Sequence, residues 1–319
     1  MRNRESVQNW DTERQRYRGT PYMMIVGDQM ISMVPTDIAV NINKEDLTFA
    51  TNFFDNIVKI IHNYRGTNYT TDRFQVFVTD VQISVGDGHS GYPWMGHNYW
   101  AGAFNDRGRL EKGLCIGYPH EIGHNLQVWK MTLMHGTEVT NNMYIPVLYH
   151  HMLGIPAFDY PHNPGSTAGH FKQMIDVWKG GKYQGVQVSY YNYLARLFNE
   201  SLVGNVLPLV VRTWEPLDTE DKKVNFWIRA LCTESEYDLV PLHRLWHFNM
   251  NGLTLMVCGV FPCFFPDDNV TKQVPDLVDK ILNNYQRNCS RDNPRKMKLN
   301  RNLLQGVNEP GKQYIFINE

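Results

Sequence analysis

The sequence contains no long apolar run. None of its stretches reaches the roughly 18 to 20 apolar residues that a membrane-spanning helix needs, and the longest mostly apolar run, Leu253–Phe265, is interrupted by Gly259 and Pro262. We therefore expect buried core there and no transmembrane segment. The first residues, through Gly19, are charged and lack the apolar centre of a secretory signal.

An excess of charge of one sign is also missing. Lys and Arg number 31 against 32 Asp and Glu, a formal net charge of −1. A nucleic-acid-binding domain or a module for anionic membranes normally carries a clear basic excess. The composition thus predicts neither partner.

Cysteine is sparse and irregularly spaced. The five cysteines are an odd number, and their spacing does not predict a disulfide framework. Cys258 and Cys263 flank an apolar loop and are interpreted as buried free thiols. N-glycosylation sequons begin at Asn68, Asn199, Asn269 and Asn288; they permit glycosylation on a secretory route, although such sequons are also common by chance.

The elements that the sequence does predict belong to an α+β fold. The chain has 319 residues, 42% of them hydrophobic, enough for a sizeable core. Strands are predicted within Tyr22–Met33 and Arg73–Ser84, and a helix over Asp46–His62. Residues 85–110 are rich in Gly, His, Asn and aromatics and indicate a long irregular segment.

From about residue 113 the pattern becomes helical. The predicted helices are Leu114–Lys130, Thr137–Leu153 with a kink at Pro146, His170–Lys179, Ser189–Asn199, Val203–Thr213, Lys222–Cys232 and Val274–Asn284. Trp214, Trp227 and Trp246 are assigned to the core of this helical part. We expect an N-terminal extension over 1–20, one domain over 21–288 with a mixed α/β part to 112 and a helical part from 113, and a tail or the start of a further domain over 289–319.

One motif carries chemistry. His120 and His124 are four residues apart, so both imidazoles lie on one face of a helix and can bind one metal ion. Glu121 follows the first of them and can take a proton from a water molecule that the metal activates. Ile122, Leu126 and Trp129 are expected to bury the opposite face.

A catalytic zinc site of this kind needs a third protein ligand and one open position. Glu138, at the start of the next predicted helix, is the first candidate. His135 in the intervening turn and the pair His150–His151 are rivals. Asn141 and Asn142 could hydrogen-bond to the ligands from behind, or could be surface residues of their helix. A purely structural zinc site is less favoured because only Cys115 lies near the motif.

These residues resemble a known family. GYPHEIGHNLQ, the following GTEVTNN and the earlier DVQISVGDGHSGYPWMG are similar to the enhancin-like, mucin-targeting zinc metallopeptidases (peptidase family M-60), a pattern that also occurs in the vertebrate TRP-channel-associated factors. The likeness extends over most of residues 20–285. It implies a gluzincin-type fold with one Zn²⁺ in a cleft between a small mixed α/β subdomain and a helical one, ligated by His120, His124 and Glu138, with Glu121 as general base.

The block HSGYP lies just after a predicted strand. A turn there could hold the substrate backbone and supply donors to an oxyanion, so Tyr92 and His89 are candidate transition-state stabilisers. The alternative is that Gly91 and Pro93 simply form a turn against which Tyr92 packs. Trp94, Tyr99 and Trp100 are candidates for an aromatic wall that contacts peptide or sugar, or are core residues.

The activity that the resemblance implies is zinc-dependent hydrolysis of peptide bonds in glycoproteins, mucin-like ones included. Such proteins are often secreted or bound to the cell surface; a cytoplasmic location is the alternative. A second function class is a binding or regulatory protein that keeps the peptidase fold without turnover.

Overall fold

The computed structural model describes residues 9–84, 86–133, 136–154, 188–285 and 287–292. The chain divides into two compact units. The described part of the first unit is 9–63 and Asn68–Asn125, and that of the second is Tyr64–Thr67 and the residues from Leu126. Strands and helices coexist as the sequence predicts, so the α+β fold class is confirmed at this level. The expected domain boundaries stay predictions.

The first unit is built around a mixed sheet. Its strands are β1 (Tyr22–Val26), β2 (Met30–Pro35), β3 (Gln75–Asp80), β4 (Gly88–His89) and β5 (Trp94–His97). Its helices are α1 (Trp10–Arg16), α2 (Thr36–Ala39), α3 (Lys44–Arg65, which ends in the second unit), α4 (Arg107–Glu111) and α5 (Gly117–Asn125), with a 3₁₀ helix over Asn98–Asn105.

The sheet has the order β1-β2-β3-β5-β4. β1 pairs antiparallel with β2 across a tight turn, β2–β3 and β3–β5 are parallel, and β4 is antiparallel to β5. Alternate residues of β3 are buried, as expected for a strand with one face on the core. The region 85–110, predicted to be irregular, therefore supplies two strands and a 3₁₀ helix.

Helix α3 packs its apolar residues into the core and also holds the first hairpin. The Asn43 side chain accepts a hydrogen bond from the Asp46 amide at 2.7 Å and so caps the start of the helix. The carboxylate of Asp55, in the middle of α3, accepts from the amides of Asp28, Gln29 and Met30. This helix thereby fixes the turn between β1 and β2.

The second unit is helical. Its helices are α6 (Thr137–Thr140), α7 (Tyr144–Leu153), α8 (Val188–Phe198), α9 (Ser201–Arg212), α10 (Glu220–Ser235), α11 (Val240–Leu245), α12 (Gly252–Cys258) and α13 (Pro275–Tyr285), with 3₁₀ turns at Trp129–Met131 and Thr271–Gln273. The predicted helices after residue 188 are confirmed, and the predicted helix His170–Lys179 lies outside the described residues.

A buried polar chain runs through the core of this unit. Trp227 Nε1 donates to the Tyr190 hydroxyl at 2.9 Å, and this hydroxyl lies 2.8 Å from His243 Nε2. Trp246 packs edge-on against Tyr190. Trp227 and Trp246 are core residues as predicted, whereas Trp214 is 99% exposed, so its assignment to the core was wrong.

The interpretation of Cys258 and Cys263 as free thiols was also wrong. Cys232 is bonded to Cys258 and Cys263 to Cys289, and Cys115 is the free cysteine of the described chain. The two cysteines of each pair are separated by 26 residues in the sequence. Pairing depends on which helices lie side by side, which spacing alone does not show.

Three predictions about helix extent and burial need correction. Helix α5 ends at Asn125, so the expected helix to Lys130 is too long, and Trp129 is 61% exposed instead of buried. The segment after residue 137 breaks at 141–143, before Pro146, and α7 starts anew at Tyr144. Pro146 lies in the first turn of α7, where no intrahelical partner is needed for its missing N–H, and therefore causes no kink.

The apolar run from Leu253 to Phe265 is only partly buried. Leu253, Met256 and Val260 are exposed, while Cys258, Phe264 and Phe265 are buried. No single helix among the described residues is long and apolar enough to cross a bilayer, although Tyr190–Phe198 and Ser201–Arg212 pass such a test together, bent by 120° at the break between them.

Candidate metal centre

Helix α5 presents the two histidines of the motif side by side. The ring centroids of His120 and His124 are 4.8 Å apart, and the rings are nearly perpendicular. Both side chains are partly exposed, whereas Glu121 between them is 6% exposed. The helix therefore offers two imidazoles on one accessible face and a shielded carboxylate beside them.

The opposite face of α5 is anchored in the aromatic core of the first unit. Tyr118 and Ile122 are buried. The Tyr118 ring stacks on Phe54 at 4.5 Å, and its hydroxyl donates to the Trp100 carbonyl at 2.6 Å. Burial raises the pKa of the Tyr118 phenol well above its usual value, so it stays a neutral donor. These contacts fix the rotation of the helix and hence the direction of the histidine face.

Three glycines make room for the Trp100 ring beneath α5. A Cβ on Gly117 would come within 2.3 Å of Trp100 Cη2, one on Gly96 within 2.6 Å of Trp100 Cε3, and one on Gly88 within 2.7 Å of Trp100 Cη2. The indole thus lies in a slot, here called the glycine slot, formed by β4, β5 and the first residue of α5. Side chains at these positions would push the helix away from the sheet.

The HSGYP turn is tied to the end of α5 by Asn125. The Asn125 Oδ1 accepts from the Gly91 amide, and its Nδ2 donates to the Gly91 carbonyl and to Gln75 Oε1, each at 2.8 Å. Gly91 has φ +143°, a backbone conformation that residues with a side chain rarely adopt. The side-chain amide of Asn125, next to His124, therefore holds the HSGYP segment, which contains both predicted oxyanion donors.

Tyr92 and His89 have defined surroundings in this turn. The Tyr92 hydroxyl accepts a hydrogen bond from Gln75 Nε2 at 2.9 Å, and the Arg73 guanidinium lies 3.5 Å from the centre of its ring. His89, in β4, has Nδ1 3.2 Å from the Ser90 carbonyl. Neither side chain is fully buried.

Glu138 lies in the first turn of α6, and its side chain is exposed. Its role as the third ligand beside His120 and His124 stays a prediction. Asn142 Nδ2 donates to the Glu138 backbone carbonyl at 2.8 Å. Asn141 and Asn142 are buried, so the reading of these two as surface residues was wrong.

The rival ligands are His135 and the pair His150–His151. His135 lies outside the described residues. His150 and His151 form a cluster with Glu200, so Glu138 stays the predicted third ligand.

The predicted aromatic wall is only partly available. Trp94 is fully buried and stacks on Phe77 at 4.2 Å, so it is a core residue and cannot contact a substrate. Tyr99 is 55% exposed. Together with Trp100 and Arg109 it lines a pocket of about 140 Å³.

Sequence reasoning missed Asn125 and Gln75. Both are polar residues that join the motif helix to the HSGYP turn. The signal was weak, because an Asn one residue after the second histidine is equally typical of a helix end.

Comparison with known proteins gives the family. The model for peptidase M60, enhancin and enhancin-like, matches residues 1–247. A TRPM8 channel-associated factor homologue from Xenopus laevis is 25% identical over 255 residues, which are 77% of this chain and 28% of that protein. The chain thus spans little more than a quarter of this relative.

Solved structures agree on the fold. A conserved protein of unknown function from Bacillus anthracis superposes with a TM-score of 0.71 at 14% identity, over 94% of this chain and 61% of that one. The catalytic module of the metalloprotease ZmpA from Clostridium perfringens gives 0.56 at 13% identity, over 82% and 53%.

IMPa from Pseudomonas aeruginosa, solved in complex with an O-glycopeptide, gives a TM-score of 0.58 at 13% identity, over 84% of this chain and 39% of that one. The match to the family model covers more than half of the sequence. The resemblance read from the motifs is therefore confirmed, and the chain belongs to the peptidase M60, enhancin and enhancin-like family.

Proposed function

We propose that this chain is a zinc-dependent endopeptidase that hydrolyses peptide bonds in glycoproteins, with mucin-type O-glycosylated proteins as its substrate class. The observation that carries the proposal is the pair of imidazoles, His120 and His124, on one accessible face of α5 beside the buried Glu121, within an intact HExxH motif. Membership of a metallopeptidase family supports it.

The three side chains fit a zinc ion. Zinc in catalytic sites takes His nitrogen and Glu oxygen at about 2.0–2.2 Å and keeps a fourth position open. His120 and His124, with ring centroids 4.8 Å apart on α5, offer the two nitrogens, and Glu138 is proposed to supply the oxygen. A zinc ion bound by His120, His124 and Glu138 would supply a Lewis acid that polarises a carbonyl and acidifies a water molecule.

The protein residues divide the remaining work. Glu121 accepts a proton from the attacking water on its carboxylate and passes it to the nitrogen of the leaving amine. Tyr92 accepts a hydrogen bond from Gln75, so its own proton is free to be donated to the developing oxyanion. His89 is the second candidate donor in the same turn. Asn141 and Asn142 orient the backbone around Glu138.

The substrate class is inferred from the relatives and from the exposed aromatic groups. IMPa was solved with an O-glycopeptide, and ZmpC of Clostridium perfringens with the sialyl T antigen. Tyr99 and Trp100 border a pocket beside α5 and could stack on a sugar face.

An extracellular or cell-surface location follows as part of the proposal. Disulfides form and persist in oxidising compartments, and the second unit contains the pairs Cys232–Cys258 and Cys263–Cys289. The sequons permit glycosylation on the same route.

The test is cleavage of a mucin O-glycopeptide by the wild-type chain and by Glu121→Gln. Loss of a general acid–base group typically costs ~10²–10⁴-fold in rate, so we expect kcat/KM to fall at least ~100-fold while the zinc content stays at the wild-type level. Glu111→Gln is the matched control, because Glu111 is an exposed glutamate that pairs with Arg107. Equal rates in wild type and Glu121→Gln would refute the mechanism.

A second candidate function rests on one observation. A relative that covers 77% of this chain is named as a TRPM8 channel-associated factor homologue, which favours an interaction or regulatory protein that retains the peptidase fold. Stoichiometric zinc together with cleavage supports the peptidase. A protein that binds zinc and cleaves no glycopeptide, or that binds none at His120 and His124, supports the regulatory role.

A further inference from the structure

A second cluster of metal-ligating side chains lies in the second unit. His150 and His151 occupy the last turn of α7, and Glu200 lies between α8 and α9. The distance from Glu200 Oε1 to His150 Nδ1 is 2.6 Å, and to His151 Nε2 it is 3.7 Å. Ligand atoms of all three residues lie within 4.8 Å of one another. The mechanism proposed above uses none of them.

The backbone holds these groups in place. Helix α7 ends at Leu153 and is capped by Gly154, which has φ +67° and whose amide donates to the His150 carbonyl at 3.0 Å. Glu200 lies in the two-residue link between α8 and α9, and its carbonyl accepts from the Tyr64 hydroxyl at 2.8 Å. Asn199 before it has φ +58°, and its side chain accepts from the Ser201 amide. The carboxylate therefore comes from a fixed corner of the chain.

His151 is the unusual member of this cluster. Its side chain is 11% exposed, and its Nε2 is buried without a hydrogen-bond partner. Burial lowers the pKa of His151 to about 4, against the opposing effect of Glu200, so the imidazole is neutral at pH 7. A buried polar nitrogen without a partner is costly and usually marks a missing ligand, water or ion.

Glu200 is the complementary anion. Burial by itself raises the pKa of this carboxyl, but the hydrogen bond from His150 and the two nearby imidazoles outweigh it and lower the pKa below its usual value. An ionised, largely buried carboxylate thus faces one partnered and one unpartnered imidazole. His150 is 44% exposed and gives an ion from solvent a way in.

We propose that His150 Nδ1, His151 Nε2 and a Glu200 carboxylate oxygen bind a divalent transition-metal ion of the zinc type, in a second site that joins the end of α7 to the α8–α9 link. Two imidazoles and one carboxylate form a typical zinc donor set and leave one position for water. Binding displaces the proton on His150 Nδ1, which moves to Nε2 of the same ring or to solvent, and gives His151 Nε2 its missing partner. Occupancy of this site stabilises the second unit by mass action.

Metal stoichiometry tests this site independently of catalysis. The full chain is stripped with a chelator, and Zn²⁺ or Co²⁺ is titrated, with bound metal and the Co²⁺ visible absorption as readouts. Wild type should bind two equivalents, and His120→Ala/His124→Ala one. In that double-variant background, adding His151→Ala or Glu200→Gln should weaken the remaining site by more than ~10–100-fold, the loss typical when only a supporting partner is removed.

The control is His247→Ala in the same background, because His247 is an exposed histidine of the same unit outside the cluster. It should retain the remaining equivalent and the stabilisation by metal in a thermal melt. His150→Ala, at the exposed edge of the cluster, repeats the test should His151→Ala fail to fold. The proposal is overturned when the double variant binds no metal, or when it binds equally with and without His151 and Glu200. A protein without peptidase activity, or without metal at His120 and His124, would count against the proposed peptidase site and not against the site at His150, His151 and Glu200.

Discussion

At the residue scale, His243 shows how burial sets protonation. Its Nδ1 lies 2.8 Å from the Leu239 carbonyl, so this nitrogen carries the proton, and its Nε2 accepts from Tyr190. Burial, only partly opposed by the bond to Leu239, lowers the pKa of His243 to about 4. The native core therefore requires the neutral imidazole.

This predicts acid sensitivity. Between pH 6.5 and about 4 the unfolded chain binds a proton at this residue and the folded chain does not, so the free energy of unfolding falls as the pH falls. The expected loss is on the order of 3 kcal/mol across this window. Urea denaturation of the metal-free protein at several pH values measures this loss. His243→Asn should make the free energy of unfolding less dependent on pH, because the contribution of His243 is removed. His151, whose pKa is also lowered, still contributes to the pH dependence in this variant. The same pH dependence in wild type and His243→Asn would contradict the conclusion that His243 is neutral in the core.

At the element scale, α5 depends on the glycine slot more than on its own sequence. The helix has nine residues, too few to be stable alone, and it carries both predicted histidine ligands. Its position is set by the close approach of Gly117 to Trp100 and by the bonds from Asn125 to the HSGYP turn.

Gly117→Ala should therefore disturb both the fold and the metal site. The added methyl would lie 2.3 Å from Trp100 Cη2, and such overpacking typically costs ~1–3 kcal/mol. We expect a lower melting temperature and a weaker affinity for zinc, measured by calorimetry and metal titration. Gly102→Ala is the control, because nothing lies within 4 Å of a Cβ at that position. Equal melting temperatures and zinc affinities of the two variants would show that the glycine slot can accommodate an extra methyl group.

At the scale of the whole molecule, the disulfides predict redox-dependent stability of the helical unit. Each closes a loop with a separation of 26 residues, which corresponds to ~3–4 kcal/mol in the loop-entropy model. Reductant should lower the melting temperature, and thiol titration of the denatured, unreduced protein should find one thiol, that of Cys115. In Cys115→Ser the same titration should find no thiol, and reductant should still lower the melting temperature. Five titratable thiols would contradict the pairing.

The sequence by itself determined the family, the α+β class and most helices. An HExxH motif, a helical period and alternating strands are local patterns that survive in any tertiary context. Helix α3 and the strand structure within Tyr22–Met33 and Arg73–Ser84 follow from such patterns.

Tertiary structure alone decided the rest. The burial of Trp94 against the exposure of Trp129 and Trp214, the two cysteine pairs, the anchoring role of Asn125 and the meeting of His150 and His151 with Glu200 each depend on residues far apart in sequence. No periodicity records such contacts, because burial and pairing are properties of the neighbours that folding brings together and not of the residues themselves.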